Sequence, residues 1–454
     1  MMRPNTLKIL SWNIQSRDDP QGSKLNDKEF MKTLTSADIF CTQENRKIIK
    51  VPKFVCYNNI RKNSTGGGVS IGFSRKLLGG IKKYNTGSKV DLLAVILSKN
   101  FFLCKRDIMI ICCYVPPPNS SYLKKNHIEN PFQDLQLLLA EVEGTCEIIL
   151  CGDLNSRCQS QDDFSHCTKI PGVSLSNEVD SSTILERNNR DKKTNSYTKE
   201  LLEIAVGSNL TIRNGRTLGD MFGEFTHMGY GGLSTVDYFL ASKNIPASST
   251  TLKVGEFSEF SDHAPLTFSI LNLIGELKVP HIHTQEDAPV NYRWTEDSKN
   301  SFISAQCQPE IQHLTNGLTN LPVENEDDIL QLNDQIVIII HNIADMSLTK
   351  PAMKTQHTKR RKNKWFDEDC FRAKKILRST TNHFNKDKMN VSARYGMFSA
   401  RKEYRAILNR KSFQSRLELN KEIELAHNNG LEWSILKKIR GNVTDSTQFD
   451  EYDI

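Results

Sequence analysis

Residues Glu147–Arg157 read EIILCGDLNSR, and the apolar run Ile148 to Cys151 gives way abruptly to a polar cluster. Such a run fits a strand covered on both faces, and Gly152 would let the backbone turn so that Asp153 and Asn155 emerge together at its carboxyl end. A carboxylate there can orient or deprotonate a water, and an amide offers both a donor and an acceptor. The pair suits hydrolysis of a phosphate ester beside a metal. Asp and Asn are also ordinary turn residues, so the weight of the cluster lies in its company. Glu44 ends a second strand as Asp153 ends its own; Asn13 and Tyr114 close two more, Asp237 lies within another, and Asp262 and His263 open the last. Each also fits a plain structural role: a helix-start carboxylate for Glu44, a turn for Asn13, strand-end packing for Tyr114, caps for Asp237 and Asp262, a satisfied core histidine for His263.

These residues need a scaffold that delivers strand ends to one place. Leu7 to Trp12 alternates as a strand and breaks at Asn13, a helix is expected near Asp27 to Leu34, and the strand Asp38 to Gln43 ends on Glu44. Gly66-Gly67-Gly68 followed by VSIGF reads as a turn entering a strand, and it lacks the Lys and Ser/Thr of a phosphate-cradling loop. Leu92 to Leu97 and Ile108 to Tyr114 read as paired strands, the second running into Val115-Pro116-Pro117-Pro118, which cannot continue a sheet. Phe132, Leu135, Leu138, Leu139 and Val142 recur at a helical period. From Arg157 to about Ser196 the chain is too polar for a core and reads as a surface excursion. A helix over Tyr197 to Val206 and strands over Leu210–Arg213, Thr235–Leu240 and Ala264–Ile270 complete the pattern. Strands outnumber helices, which suits two packed sheets with helices outside.

At 454 residues the chain exceeds the size at which one core keeps growing, so a large domain plus an appendage is expected. The texture changes near Ile274, and beyond it Ile329, Leu332, Ile336, Ile339, Ile343 and Met346 recur at helical spacing. Phe371–Leu377, Phe398–Leu408 and Leu417–Leu425 read as basic helices with apolar stripes. The net charge of +7 is uneven: residues 350–421 hold 21 Lys and Arg against 6 Asp and Glu. That imbalance points to a polyanionic partner, although solvated helix faces have a similar composition. The eleven cysteines are scattered through strands and form no CxxC pair, which reads as buried, reduced thiols. Neither a secretory leader nor a membrane-length apolar run is evident, so an intracellular protein without a membrane partner is expected.

SWNI, TQEN, CYVPP, GDLN, STVDYFL and SDHAPL occur here in the order in which they occur in the endonuclease/exonuclease/phosphatase superfamily, which includes deoxyribonuclease I and the apurinic endonucleases. The resemblance covers about residues 7 to 272 and implies an α+β, four-layer αββα sandwich. It implies that Glu44 binds a divalent metal with Asn13 close by and Asp262 completing the site. Magnesium fits such a sparse oxygen set, with manganese as a substitute. By the same resemblance Asp153 activates or orients water, Asn155 and Tyr114 hold phosphate oxygens, His263 stabilises charge on the phosphorane, and Asp237 orients His263. Two positions depart from the apurinic enzymes. Gln15 stands where many have an aspartate, and Ser234 replaces the tryptophan that lines their pocket for the baseless sugar. The FTH and SxxDY patterns look instead like the endonuclease domains of non-LTR retrotransposons, with His227 facing a phosphate and Ser234 on the substrate side.

KNKWFDEDCFRAKK, ARKEYRAILNRKSF and EWSILKKIRG resemble the segment between endonuclease and reverse transcriptase in such elements, and no YxDD-like pair follows. The expected organisation is a catalytic domain over 1–273, a linker over 274–295 and a basic helical region over 296–454 that holds nucleic acid or docks a polymerase. Together these imply a magnesium-dependent endonuclease that nicks DNA, with RNA or a reverse transcriptase as further partners. Nuclear residence follows from the substrate, and Lys359-Arg360-Arg361-Lys362 could serve import. Two other readings fit the same residues: a phosphatase or phosphodiesterase acting on inositol phosphates or lipids, and an inactive remnant that only binds nucleic acid.

Overall fold

The computed structural model describes residues 6–19, 22–61, 66–87, 89–163, 186–229, 231–271, 294–295, 297–319, 326–348 and 365–428. The chain runs through β1 (Thr6–Asn13), the short pair β2 (Asp18–Asp19) and β3 (Gly22–Ser23), α1 (Lys28–Leu34), β4 (Ile39–Gln43), β5 (Phe54–Asn59), β6 (Val69–Ser74), β7 (Ile81–Tyr84), β8 (Leu92–Leu97), α2 (Lys99–Phe102) and β9 (Ile108–Tyr114). It continues with α3 (Ser121–Lys125), α4 (Gln133–Glu141), β10 (Glu147–Asp153), α5 (Thr198–Gly207), β11 (Leu210–Ile212), the hairpin β12 (His227–Gly229) and β13 (Gly232–Ser234), β14 (Asp237–Ser242), β15 (Thr250–Val254) and β16 (Leu266–Leu271). Two six-stranded sheets result, ordered β15-β16-β1-β4-β6-β5 and β11-β14-β10-β9-β8-β7.

The apolar runs explain the layers. β10 lies between β9, its parallel neighbour, and β14, its antiparallel one, so both of its edges are paired, and its two faces are covered by the other sheet and by helices. Ile108, Ile110, Cys112, Ile149 and Cys151 belong to the core that Leu7, Ile9 and Phe268 of the other sheet share. Met109, Ile111, Cys113 and Leu150, pointing the opposite way, pack with Leu135, Leu138 and Leu139 of α4 and Leu201 and Ile204 of α5. On the outside of the other sheet the Phe30 ring of α1 lies 5.1 Å from Trp12. The α+β sandwich with flanking helices is the expected fold.

Gly152 does not turn the chain, as its sequence context suggested. β10 runs through it to Asp153, and Gly152 (φ 143°) is demanded by closeness: a Cβ there would stand 1.8 Å from the Cys113 carbonyl oxygen. Gly152→Ala is expected to cost about 3 kcal/mol or more of unfolding free energy, which chemical denaturation would read directly.

Contacts group the chain into two compact units, and they are discontinuous in sequence: Asp18–Asp27 and Phe257–Phe260 belong with the C-terminal helices. Within the first unit, α6 (Ser298–Gln306), α7 (Pro309–Thr319) and α8 (Glu326–Ser347) share a small cluster of Ala305, Ile311, Ile339 and Ile343. Ile336 and Met346 of the expected stripe are exposed. In the second unit α9 (Glu368–Lys386) starts where Asp367 accepts the N–H groups of Asp369 and Cys370, at 3.1 and 3.3 Å. Its partner α10 (Val391–Asn428) is one helix where two were expected, since NRKSFQSR between them contains no Gly or Pro to stop it. Cys370, Ala373, Leu377, Thr381 and Phe384 of α9 are buried at helical spacing, as are Ala393, Met397, Tyr404 and Leu408 of α10.

The greater part of the expected linker, the Lys359–Lys362 cluster and EWSILKKIRG lie outside the described residues. Among the described residues no helix is long and apolar enough to cross a membrane.

Candidate active site

Strand register lines up the acidic residues. Asp153 sits beside Tyr114 across the β10–β9 pair and beside Asp237 across the β10–β14 pair. In the facing sheet Asn13 ends β1 next to Gln43 of β4, and Glu44 follows at once. Asn13 joins the two sheets: its Nδ2 donates to Asp153 Oδ2 at 2.9 Å and to Glu44 Oε1 at 3.2 Å, while its Oδ1 accepts the Gln15 N–H at 3.0 Å. It therefore shows the acids its NH2 rather than its oxygen.

His263 faces Asp237 through Nδ1, at 2.9 Å from Oδ2 and 3.1 Å from Oδ1, and Asp153 Oδ2 through Nε2 at 3.9 Å. Its backbone is pinned. The Trp12 indole donates to the His263 carbonyl at 2.9 Å, and Ser261 Oγ accepts the His263 N–H at 3.0 Å while donating to the Asn13 carbonyl at 2.6 Å. Asp262 and Gln15 pair reciprocally: Nε2 of Gln15 donates to Oδ2 at 3.0 Å, and the Asp262 N–H donates to Oε1 at 3.2 Å. Asn155 donates its N–H to Asp153 Oδ1 at 3.0 Å and its Nδ2 to the Val115 carbonyl at 2.8 Å, which fixes the amide from behind.

The charges divide the roles. Burial disfavours a charged His263 most, but Asp237 and then Asp153 outweigh it and its pKa is raised to about 9. Asp153 is raised to about 7, first by burial and then by the charge of Asp237, against the pull of His263 and the Asn13 hydrogen bond. At neutral pH the imidazolium can hold Nδ1–H on Asp237 and turn Nε2–H toward Asp153. Burial, then Glu44 and Asp153, push the Tyr114 hydroxyl well up, which keeps it a neutral donor. His227, whose ring is 4.6 Å from that of His263 and whose Nδ1 is 3.1 Å from Ser234 Oγ, goes the other way. Burial and the charges of His263 and Arg157 lower its pKa to about 3, so it can offer a substrate a hydrogen bond but no charge.

Glu44, Asp153 and Asp237 thus gather three carboxylates around one imidazolium, with Arg46 3.8 Å from Glu44 on its outer side. An all-oxygen donor set of this kind fits a hard divalent cation. Among the described residues the group with metal-ligand spacing is Asp153, Asp237 and His263. His263 is already engaged by Asp237 and protonated, so a cation fits better on the Glu44 side of Asp153.

Other contributors carried weaker marks in the sequence. Trp12, Ser261 and Thr226 lie inside SWNI, SDHAPL and FTH; the hydroxyl of Thr226 accepts the N–H groups of Val236 and Asp237 at 3.1 and 3.0 Å. Arg61 and Asp91 lie in no motif. Asp91 takes Arg61 Nε and the Gly68 N–H at 2.6 Å each, its carbonyl accepts the Tyr114 N–H at 3.0 Å, and the guanidinium lies 5.6 Å from the Tyr114 ring centroid. Gln15 (φ 50°), Ser16 (88°), Glu44 (55°), Arg46 (60°) and Asn155 (47°) hold left-handed backbone, about 1 kcal/mol or more of strain each, gathered at these strand ends.

A model of the endonuclease/exonuclease/phosphatase family matches residues 10–263, more than half of the chain and every residue of this site. The chain belongs to that family. The endonuclease/exonuclease/phosphatase family consists of phosphoester-cleaving enzymes that generally depend on a divalent metal, which agrees with the buried cluster of carboxylates and histidine found here. Solved structures similar to this family member include the AP endonuclease of Leishmania major, at 11% identity and a TM-score of 0.42, covering 59% of this chain and 88% of that one. The 3′ phosphatase NExo from Neisseria, bound to a product DNA hairpin, aligns at 17% identity and a TM-score of 0.40 over 58% of this chain and 99% of that one. The endonuclease domain of TRAS1, a telomere-specific non-LTR retrotransposon, aligns at 16% identity and 0.38 over 58% and 98%. No curated protein sequence matches the chain.

Proposed function

We propose that this family member is a magnesium-dependent endonuclease that nicks DNA. The observation that carries the reading is the placement of Asp153, held by Asn13 on the Glu44 side and facing the His263–Asp237 pair on the other. Water attacks phosphorus in line, the bond from phosphorus to the 3′ oxygen breaks, and the products are a 3′ hydroxyl and a 5′ phosphate. The Asp153 carboxylate orients that water or takes its proton. The His263 imidazolium, oriented by Asp237, stabilises the charge that gathers on the phosphate oxygens. Tyr114 and Asn155 hold those oxygens by hydrogen bonds. Glu44 would hold the magnesium with Asp262 beside it, while the Asn13 NH2 holds the Glu44 and Asp153 carboxylates in place; such an ion would offset phosphate charge and favour ionisation of water.

DNA as the substrate is supported by the FTH and SxxDY patterns, by Ser234 in place of an abasic-pocket tryptophan, and by the basic C-terminal sequence. His227 and Ser234, joined across the β12–β13 hairpin, would meet the nucleic acid as neutral hydrogen-bonding groups. The purified full chain should convert supercoiled plasmid to open circles that DNA ligase reseals, because resealing requires the 3′ hydroxyl and 5′ phosphate. Release of phosphate from inositol phosphates with no plasmid nicking would replace this reading with a phosphatase.

A further inference from the structure

Each residue of Phe257–Phe260, the segment directly ahead of Ser261, Asp262 and His263, is gripped by a different side chain of the second unit. Asn385 of α9 pairs with both backbone groups of Phe257: it accepts the N–H at 3.2 Å and donates to the carbonyl at 2.9 Å. Arg401 of α10, 3% exposed, donates to the Ser258 carbonyl at 2.5 Å. Arg378 of α9 donates to the Glu259 carboxylate at 2.7 Å, and Lys24 donates to the Phe260 carbonyl at 2.7 Å. The Phe257 and Phe384 rings are 5.9 Å apart, and Lys374 holds Asp27 at 3.0 Å.

We propose that α9 and α10 are a positioning brace for the catalytic loops, holding the chain that leads into Asp262 and His263 and the Asp18–Asp27 segment that follows Gln15. The proposal rests on the nuclease reading above. Helices that served only to attract a polyanion would turn their cationic groups to water. Here a guanidinium is taken out of water, where burial costs free energy unless the group is hydrogen-bonded, and donates to the backbone of the segment that leads into the site. One residue further on, Ser261 ties the same strand of chain to Asn13 and to the His263 N–H. Displacements there would shift the His263 ring from its place 2.9 Å from Asp237 Oδ2. Asn385, Arg401 and Arg378 are positioning residues and touch no reacting atom.

A charge swap in the full chain tests this. Glu259→Arg and Arg378→Glu should each lower kcat for plasmid nicking about fivefold with KM nearly unchanged. Each should also speed amide hydrogen exchange across Ser261–Ala264 about tenfold, and the double reversal should restore both. Asn385→Ala, which leaves the charges alone, should reproduce the single-variant effects. Single variants that match wild type in both measurements, or a double reversal no better than its parents, would overturn the brace. Should wild type itself fail to nick, the nuclease reading falls, and hydrogen exchange alone still decides whether the helices hold the loop.

Discussion

Asp153→Asn is expected to lower the turnover of plasmid nicking by about a thousandfold or more while leaving the fold in place. Asparagine has the shape of aspartate and can keep the Asn13 contact through its oxygen. It removes the negative charge that orients or deprotonates the attacking water. Stability should change little, because the lost repulsion from Asp237 offsets the lost attraction to His263, the two charges that act on Asp153 in opposite directions. Turnover under saturating plasmid together with a thermal melt separates the chemical effect from unfolding. A variant that melts like wild type and nicks within about tenfold of it would remove Asp153 from the chemistry.

His263→Ala should cost about a hundredfold to a thousandfold in kcat, the typical loss when one preorganised donor to a developing charge is removed. The pH profile gives a second, independent reading. Activity needs Asp153 as a carboxylate and His263 as an imidazolium. In the metal-free protein these groups stand at about 7 and about 9, so activity rises with pH through the first and falls through the second. Bound magnesium favours ionised Asp153 and moves the rising limb lower; the falling limb stays on the alkaline side. His263→Ala should abolish the falling limb, and Asp237→Asn should move it toward neutrality, since the carboxylate behind the ring is what chiefly keeps it charged. A falling limb that survives in His263→Ala would assign it to another group.

Much of this was legible in sequence because the chemistry sits at strand ends. Asn13, Glu44, Tyr114, Asp153 and His263 each stand at the end or the opening of a strand that its residue pattern marks, so their convergence follows once two sheets pack. What stayed hidden depends on pairing and conformation. Gly152 looked like a turn residue, and only the nearness of the Cys113 carbonyl shows that a side chain has no room there. The amide of Asn13 could face either way until the Gln15 N–H fixed it. Arg61 and Asp91 lie in no motif because their effect on Tyr114 runs through a backbone hydrogen bond and a ring contact. The grouping of Phe257–Phe260 with α9 and α10 joins residues more than a hundred positions apart, and no local pattern marks such a contact.

The most direct test of a metal-dependent phosphodiester cleavage at the Asp153–His263 site is a supercoiled-plasmid assay of the full chain. Wild type and Asp153→Asn are compared side by side, each with magnesium and with a chelator. Wild type with magnesium should nick the plasmid, and the other three reactions should show background conversion. Equal nicking by Asp153→Asn, or wild-type nicking that persists in the chelator, would contradict metal-dependent cleavage at this site.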